Sequence, residues 1–180
     1  MFSESQTGTS SAANPFTAAD VAAILREREW LRGGAVAAAD WLTQAASMLG
    51  PQSADREALG NLLALIFEYD AHDVLATRAC QEMLDRVGAR EVLRALATEI
   101  LSGGPVDSNR LKEIVSALKE KLPYRSREIF LPLRVSVAGR AGEGELDRVI
   151  LLLDGAAQTE GLAPVKSVRT RILEFCAALD

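Results

Sequence analysis

An all-α fold, a bundle of several helices, is what this sequence predicts, and three observations predict it. Apolar residues recur at three- and four-residue spacing along most of the chain, and helix-start and helix-stop residues punctuate those runs. Sustained alternation is confined to one short stretch, Ile129 to Val137. With 180 residues, 48% of them hydrophobic, the chain can bury one sizeable core, as one compact unit or as two closely packed helical halves. The expected organisation is a Ser/Thr/Ala/Gln-rich disordered tail over 1–14, a helical pair over 15–51 and a larger helical domain over 52–180. The tail has neither the basic start nor the apolar stretch of a signal peptide or membrane anchor.

The elements follow in order. Thr17 and Asp20 make a capping-box-like start, and Val21, Ile24, Leu25 and Leu31 carry a first helix towards Gly33-Gly34. A second runs from Ala35 to Leu49, with Trp41 and Leu42 inward, and stops at Gly50-Pro51. Trp30 and Trp41 read as core. Ser53 is placed to cap a third helix through Leu59, Leu62, Leu63, Ile66 and Phe67, ending at Glu68-Tyr69-Asp70. Asp70 or Asp73 then caps a fourth, amphipathic through Val74, Leu75, Ala79, Met83, Leu84 and Val87, with Gly88 as its stop. Val92, Leu93, Leu96, Ile100 and Leu101 define a fifth before Gly103-Gly104-Pro105. Asp107 or Ser108 opens a sixth with Leu111, Ile114, Val115, Leu118 and Leu122 inward.

The run Ile129–Val137 alternates well enough to pass for a strand, and Gly139, Gly142 and Gly144 after it suggest a phosphate loop. Neither reading stands. The glycines match neither the Walker nor the dinucleotide spacing, and Glu143 and Glu145 occupy the place an anionic phosphate would take. Pro132 is unfavourable in mid-strand but favourable at the first position of a short helix. Pro132 to Ala138 is therefore expected to be helical with Gly139 as its stop. Helices over Glu145–Leu153 and Pro164–Leu179 follow, the last with Val165, Val168, Ile172, Phe175 and Cys176 inward.

Charge is uneven along the chain. The formal net charge is −5, yet the stretch from Arg110 to Arg140 holds eight basic residues against three acidic ones. Such a concentration can mark a face that meets phosphates, or simply a solvated surface. Cys80 and Cys176 lie far apart among apolar neighbours, as reduced thiols of a cytoplasmic protein do. No run of about 18 apolar residues is present to span a bilayer.

At Arg125 the sequence becomes specific, reading R-S-R-E-I-F-L-P-L-R-V-S-V-A-G-R and then, from Gly142, G-E-G-E-L-D-R-V-I-L-L-L-D-G. This resembles the anticodon-binding end of bacterial glutamyl-tRNA synthetases, class I enzymes, at Phe130, Pro132, Leu133, Arg134, Val135 and Gly139. Leu146, Leu152, Leu153 and Gly155 fit the acidic helix that follows. The segments Ile66–Asp73 and Ala89–Leu96 look like weaker counterparts of the same helical domain, so the resemblance covers Leu59 to Gly155. It implies an all-helical cage that binds tRNA, and a partner that is tRNA, of the glutamate class, or a synthetase-related protein.

By that resemblance Arg134 is the first candidate for an RNA contact and Arg127 the second, with Arg125, Arg140, Lys119 and Lys121 behind them. Arginine suits the task because a guanidinium plane stacks on unpaired bases and bonds their edges. The alternative for Arg134 is an intramolecular pair with a carboxylate such as Glu128 or Glu145. The sequence departs from the family pattern where Ser126 replaces glycine, Ala138 replaces threonine, and residues 141–144 lack His-Gly-Pro; these changes bear on nucleotide recognition and leave the helix boundaries alone.

No enzyme is expected. The synthetase catalytic motifs are absent, and His72, the single histidine, excludes the His-x-Gly-His element. One histidine and two separated cysteines assemble no metal site, and no cofactor is implied. His72 lies between Asp70 and Asp73 at a helix start, where a capping role is the simpler one. The expected function is a tRNA-binding module, free-standing or part of a longer glutamate–tRNA ligase. The competing expectation is a protein-interaction or scaffold domain that kept the helical fold and lost RNA binding.

Overall fold

The computed structural model describes residues 14–180; the tail expected at the N-terminus falls, apart from Asn14, outside the described residues. The fold is all-α, with no strand among the described residues and a single isolated antiparallel bridge between Leu31 and Leu162. The helices are α1 (Ala18–Glu27), α2 (Ala39–Leu49), α3 (Arg56–Phe67), α4 (Ala71–Ala76), α5 (Arg78–Leu84), α6 (Ala89–Leu101), α7 (Ser108–Lys121), α8 (Ser126–Leu133), α9 (Gly144–Gln158) and α10 (Val168–Leu179). A 3₁₀ turn, Gly50–Gln52, follows α2, and a π-helical turn, Arg134–Ala138, continues α8.

Helix starts follow the capping chemistry. Thr17 and Asp20 exchange side-chain and backbone hydrogen bonds at α1, and Asp70 accepts from the amides of His72 and Asp73 at α4. Asp107 accepts from the Arg110 amide at α7. At α3, however, the cap is Asp55, which accepts from Ala58, whereas Ser53 is buried and its hydroxyl donates to the Leu49 carbonyl. The first helix also ends sooner than the apolar spacing suggests: Glu29 takes φ 60° and turns the chain, so Gly33-Gly34 lies in the following loop. The second helix correspondingly begins at Ala39, not Ala35.

One expected helix is two. The run from Asp70 to Val87 breaks at Thr77, whose ψ of 145° is extended, and whose hydroxyl oxygen accepts from Cys80 at the start of α5 while donating to Val74. A threonine that offers the backbone this local alternative competes with helix continuation, and the apolar spacing alone does not register it. Gly88 then serves as the N-cap of α6 in the left-handed region, φ 83°.

Two apolar clusters form. The larger joins α1, α2, α3, α7 and α9 through residues such as Leu25, Trp41, Leu63, Leu118 and Leu152. Trp30 stacks on Phe67 at 4.9 Å, Trp41 meets Phe67 edge-on at 6.0 Å, and the Trp41 indole donates to the Leu152 carbonyl. Both tryptophans are thus core. The helical pair α1–α2 shares this cluster with α3 and α9. The loop after α1 is pinned by amides of Arg32 and Gly33 donating to Gly161, an approach so close that a Cβ on Gly33 would sit 2.9 Å from the Gly161 Cα.

The smaller cluster gathers Tyr69, Val74, Cys80, Met83, Leu93, Val135 and Phe175 between α4, α5, α6, α10 and the π turn. Two buried charged groups bind these layers together. The Asp154 carboxylate accepts from the amides of Val106 and Val168, tying α9 to the α6–α7 loop and to the start of α10. Arg171, fully buried, donates to the carbonyls of Leu65, Ile66, Val137 and Lys166 and lies 4.5 Å from the Tyr69 ring. No helix among the described residues is long and apolar enough to cross a membrane.

Candidate nucleic-acid interface

The segment that alternates like a strand is helical, but α8 begins at Ser126, so Pro132 lies inside the helix near its end and not at the first position expected of it. Ile129, Pro132 and Leu133 face inward from α8, which leaves Arg127, Phe130 and Arg134, spaced three and four apart, on the outer face. The π turn inserts one residue per turn more than an α-helix, and Gly139 ends it at φ 85°. A left-handed residue there lets its amide reach the carbonyls of both Arg134 and Val135.

Arg127, Phe130 and Arg134 line one wall of a groove of about 680 Å³. The opposite wall comes from Glu82 and Met83 of α5 and from Arg86 in the turn after it, and the floor closes on the loop Ala141–Glu143. Three arginines, an aromatic ring and two carboxylates therefore meet in one concave surface. Arg86 and Arg127 are exposed and make no side-chain hydrogen bond or ion pair among the described residues. Glu82 is engaged by Arg78 at 2.7 Å.

Arg134 is held differently. Its Nε and Nη2 donate to the two carboxylate oxygens of Asp147 at 2.8 and 2.9 Å, Nη1 donates to the Gly142 carbonyl, and Glu143 lies 3.7 Å away. The guanidinium also lies 4.8 Å from the centre of the Phe130 ring, and its side chain is only 14% exposed. The bidentate bond to Asp147 is the main reason that its pKa is raised further above the ordinary arginine value. The intramolecular carboxylate pair thus exists, but with Asp147 and Glu143. Glu128 instead accepts from the Arg125 amide and caps α8, and Glu145 accepts from the Glu143 amide.

The other basic residues scatter. Lys119, from the last turn of α7, lies 6.0 Å from the Phe130 ring but does not line the groove. Lys121 is paired with Glu99. Arg125 caps α8 through its backbone with its side chain exposed, and Arg140 is exposed beyond Gly139; neither lines the groove. Arg86 is the residue that sequence reading misses. It lies far upstream in a stretch of unremarkable charge, and only the packing of α6 against α8, with α5 held on α6, brings it into the same groove as Arg127. Asp147 was legible as part of an acidic helix start, but not as the partner of Arg134.

Among the described residues no group of three or more His, Cys, Asp or Glu could hold a metal ion. His72 is exposed, and its backbone amide belongs to the Asp70 cap. Cys80 and Cys176 are free thiols, each pushed above the ordinary thiol pKa by burial, which makes them poor nucleophiles.

No protein-family profile matches the chain, and no solved structure matches it. Among curated proteins, a glutamate–tRNA ligase of Bacillus cytotoxicus is 30% identical over 73 residues, which make up 41% of this chain and 15% of the ligase. Part of the chain is therefore similar to a small portion of a tRNA synthetase.

Proposed function

We propose that this chain is a non-catalytic tRNA-binding module, free-standing or part of a larger ligase, that takes unpaired nucleotides of a glutamate-class tRNA in the groove along α8. The observation that carries the proposal is that unpaired Arg127 and Arg86 line one concave surface together with the Phe130 ring. Guanidinium groups and an aromatic face suit single-stranded RNA, because the bases stack while the backbone is held by charge. The similarity to a glutamate–tRNA ligase supports tRNA as the RNA in question. The absence of synthetase catalytic motifs in this sequence supports a binding role without chemistry of its own.

Within this reading Arg134 positions the site: fastened to Asp147, it fixes the 141–147 segment against α8 and covers one face of Phe130. Arg127 then makes the RNA contact. Native gel shifts with tRNA(Glu) at two salt concentrations test this, with a salt-sensitive shift expected that Arg127→Ala weakens. The absence of any salt-sensitive binding would overturn it.

One observation favours the protein-interaction reading. The arginine singled out by the resemblance is neutralised by two carboxylates, as expected of a helical cage that has lost its RNA. Purification with a stoichiometric protein partner and no RNA would decide for that alternative.

A further inference from the structure

A second cleft, of about 380 Å³, adjoins the α8 groove and shares Arg86 with it. Its lining is mainly apolar, from Val87, Val92, Pro132 and the Tyr124 ring. Val87 is 90% exposed in the turn between α5 and α6, an aliphatic side chain left open to water. Tyr124 is held from two directions: its hydroxyl donates to the Glu91 carboxylate at 2.6 Å, and its ring packs over Gly88, where a Cβ would overlap it. The charged residues of the lining are Asp85 and Glu128 together with Arg86, two carboxylates against one cation, and Glu91 adds a third carboxylate beside the Tyr124 hydroxyl. Asp85 is exposed and makes no side-chain hydrogen bond or ion pair among the described residues, and Glu128 uses only one oxygen, on the Arg125 amide.

We propose that this cleft docks a segment of a partner protein that inserts one aliphatic side chain between Val87, Val92 and Pro132 and carries a lysine or arginine beside it for the carboxylates of Asp85 and Glu128. The charge balance chooses this occupant. A nucleic acid would bring its phosphates against the surplus carboxylates. A second copy of this chain would bring the same surplus with it, because a twofold contact sets each patch against itself. A cation next to an apolar side chain leaves neither mismatch, and the preformed wall at Tyr124 needs no ordering when the segment docks. The site is separate from the RNA reading of the α8 groove: it uses Asp85, Val87 and Tyr124, none of which lines that groove.

The test titrates the isotope-labelled full chain with two blocked tetrapeptides, Lys-Ile-Leu-Lys and Glu-Ile-Leu-Glu, and follows amide NMR shifts. The cationic peptide should shift the amides of Val87, Val92 and Tyr124 saturably and bind about tenfold more tightly than the acidic one. Val87→Ser should weaken it by roughly tenfold through lost apolar contact, and Asp85→Asn by about threefold with a shallower salt dependence. Both positions are exposed, so the fold is not at risk. Equal affinity for the two peptides, no saturable binding of either, or no effect of Val87→Ser would overturn the proposal. Self-association of the free chain through the same amides would give the cleft to a second copy instead, and tRNA-induced shifts at Val87 and Tyr124 that Asp85→Asn strengthens would give it to nucleic acid. A chain that binds tRNA but neither peptide keeps the α8 groove and loses the docking site; one that binds the cationic peptide but no tRNA does the reverse.

Discussion

The two flanks of the π turn each carry an arginine over an aromatic ring, and the two are held in opposite ways. On the inner flank Arg171 is fully buried, 4.5 Å from the Tyr69 ring, and donates to backbone carbonyls alone. On the outer flank Arg134, 4.8 Å from the Phe130 ring, is bound by carboxylates at the margin of a groove. Burial lowers the Arg171 pKa to about 10, whereas the Asp147 bond raises that of Arg134. A buried guanidinium satisfied by the carbonyls at the end of α3 and in the π turn is part of the frame, because nothing from solvent can replace those bonds. A guanidinium held by carboxylates at the surface can be reached by a competing anion. The same residue type therefore does structural work on one flank and borders a binding surface on the other.

The sharpest way to break this comparison is at Arg171. Arg171→Met should destabilise the fold by about 3–5 kcal/mol, since the buried carbonyls of Ile66 and Val137 and the part-buried ones of Leu65 and Lys166 lose their donor at once. Urea unfolding measures it, and a loss below about 1 kcal/mol would mean that Arg171 is not the tie between α3, α10 and the π turn. Next comes Arg134→Ala, expected to cost about 1–3 kcal/mol by leaving Asp147 unpaired. Arg134→Lys should recover only part of this, because an ammonium cannot make the bidentate bond. Gly139→Ala should cost about 1–2 kcal/mol, since the φ of 85° at the end of the π turn is strained for any residue with a Cβ.

Two smaller effects sharpen the picture. Asp70 has its pKa lowered by the His72 and Asp73 amides that it caps. A carboxylate whose folded pKa is depressed contributes stability above its unfolded value and loses it as pH falls through that range. Acid titration of the melting temperature should therefore fall below pH 3.8 or so, and Asp70→Asn should blunt that decline. Arg127→Ala should leave the melting temperature unchanged and act only on RNA affinity; a clear drop in stability would show Arg127 to be part of the frame, like Arg171.

The sequence carries local structure well where one residue decides it. Thr17, Asp70 and Asp107 cap the helices that their chemistry indicates, and Gly139 stops the helical run as expected, whereas Pro132 lies inside α8 and not at a helix start. It is less informative where a side chain has two local options. Ser53 is itself a plausible cap but bonds backward to Leu49 and leaves the cap to Asp55, and Thr77 divides a run whose apolar spacing is continuous. Both competing states are short-range and close in energy, so packing chooses between them.

What the sequence by itself determined is the all-α class and the caps at Thr17, Asp70 and Asp107, because these depend on spacing and chemistry within a single helix, while Arg127 and Arg134 were singled out by the resemblance. Only the tertiary structure decided which of those arginines is free. Asp147 reaches Arg134 across the loop between the π turn and α9, Arg86 reaches the groove through the packing of α6 on α8, and Arg171 finds its carbonyls on α3 and the π turn. A charge is recognisable in a sequence, but its partner is set by elements distant along the chain that close against it in space. The partner is what makes one arginine a strut and leaves another open to a ligand.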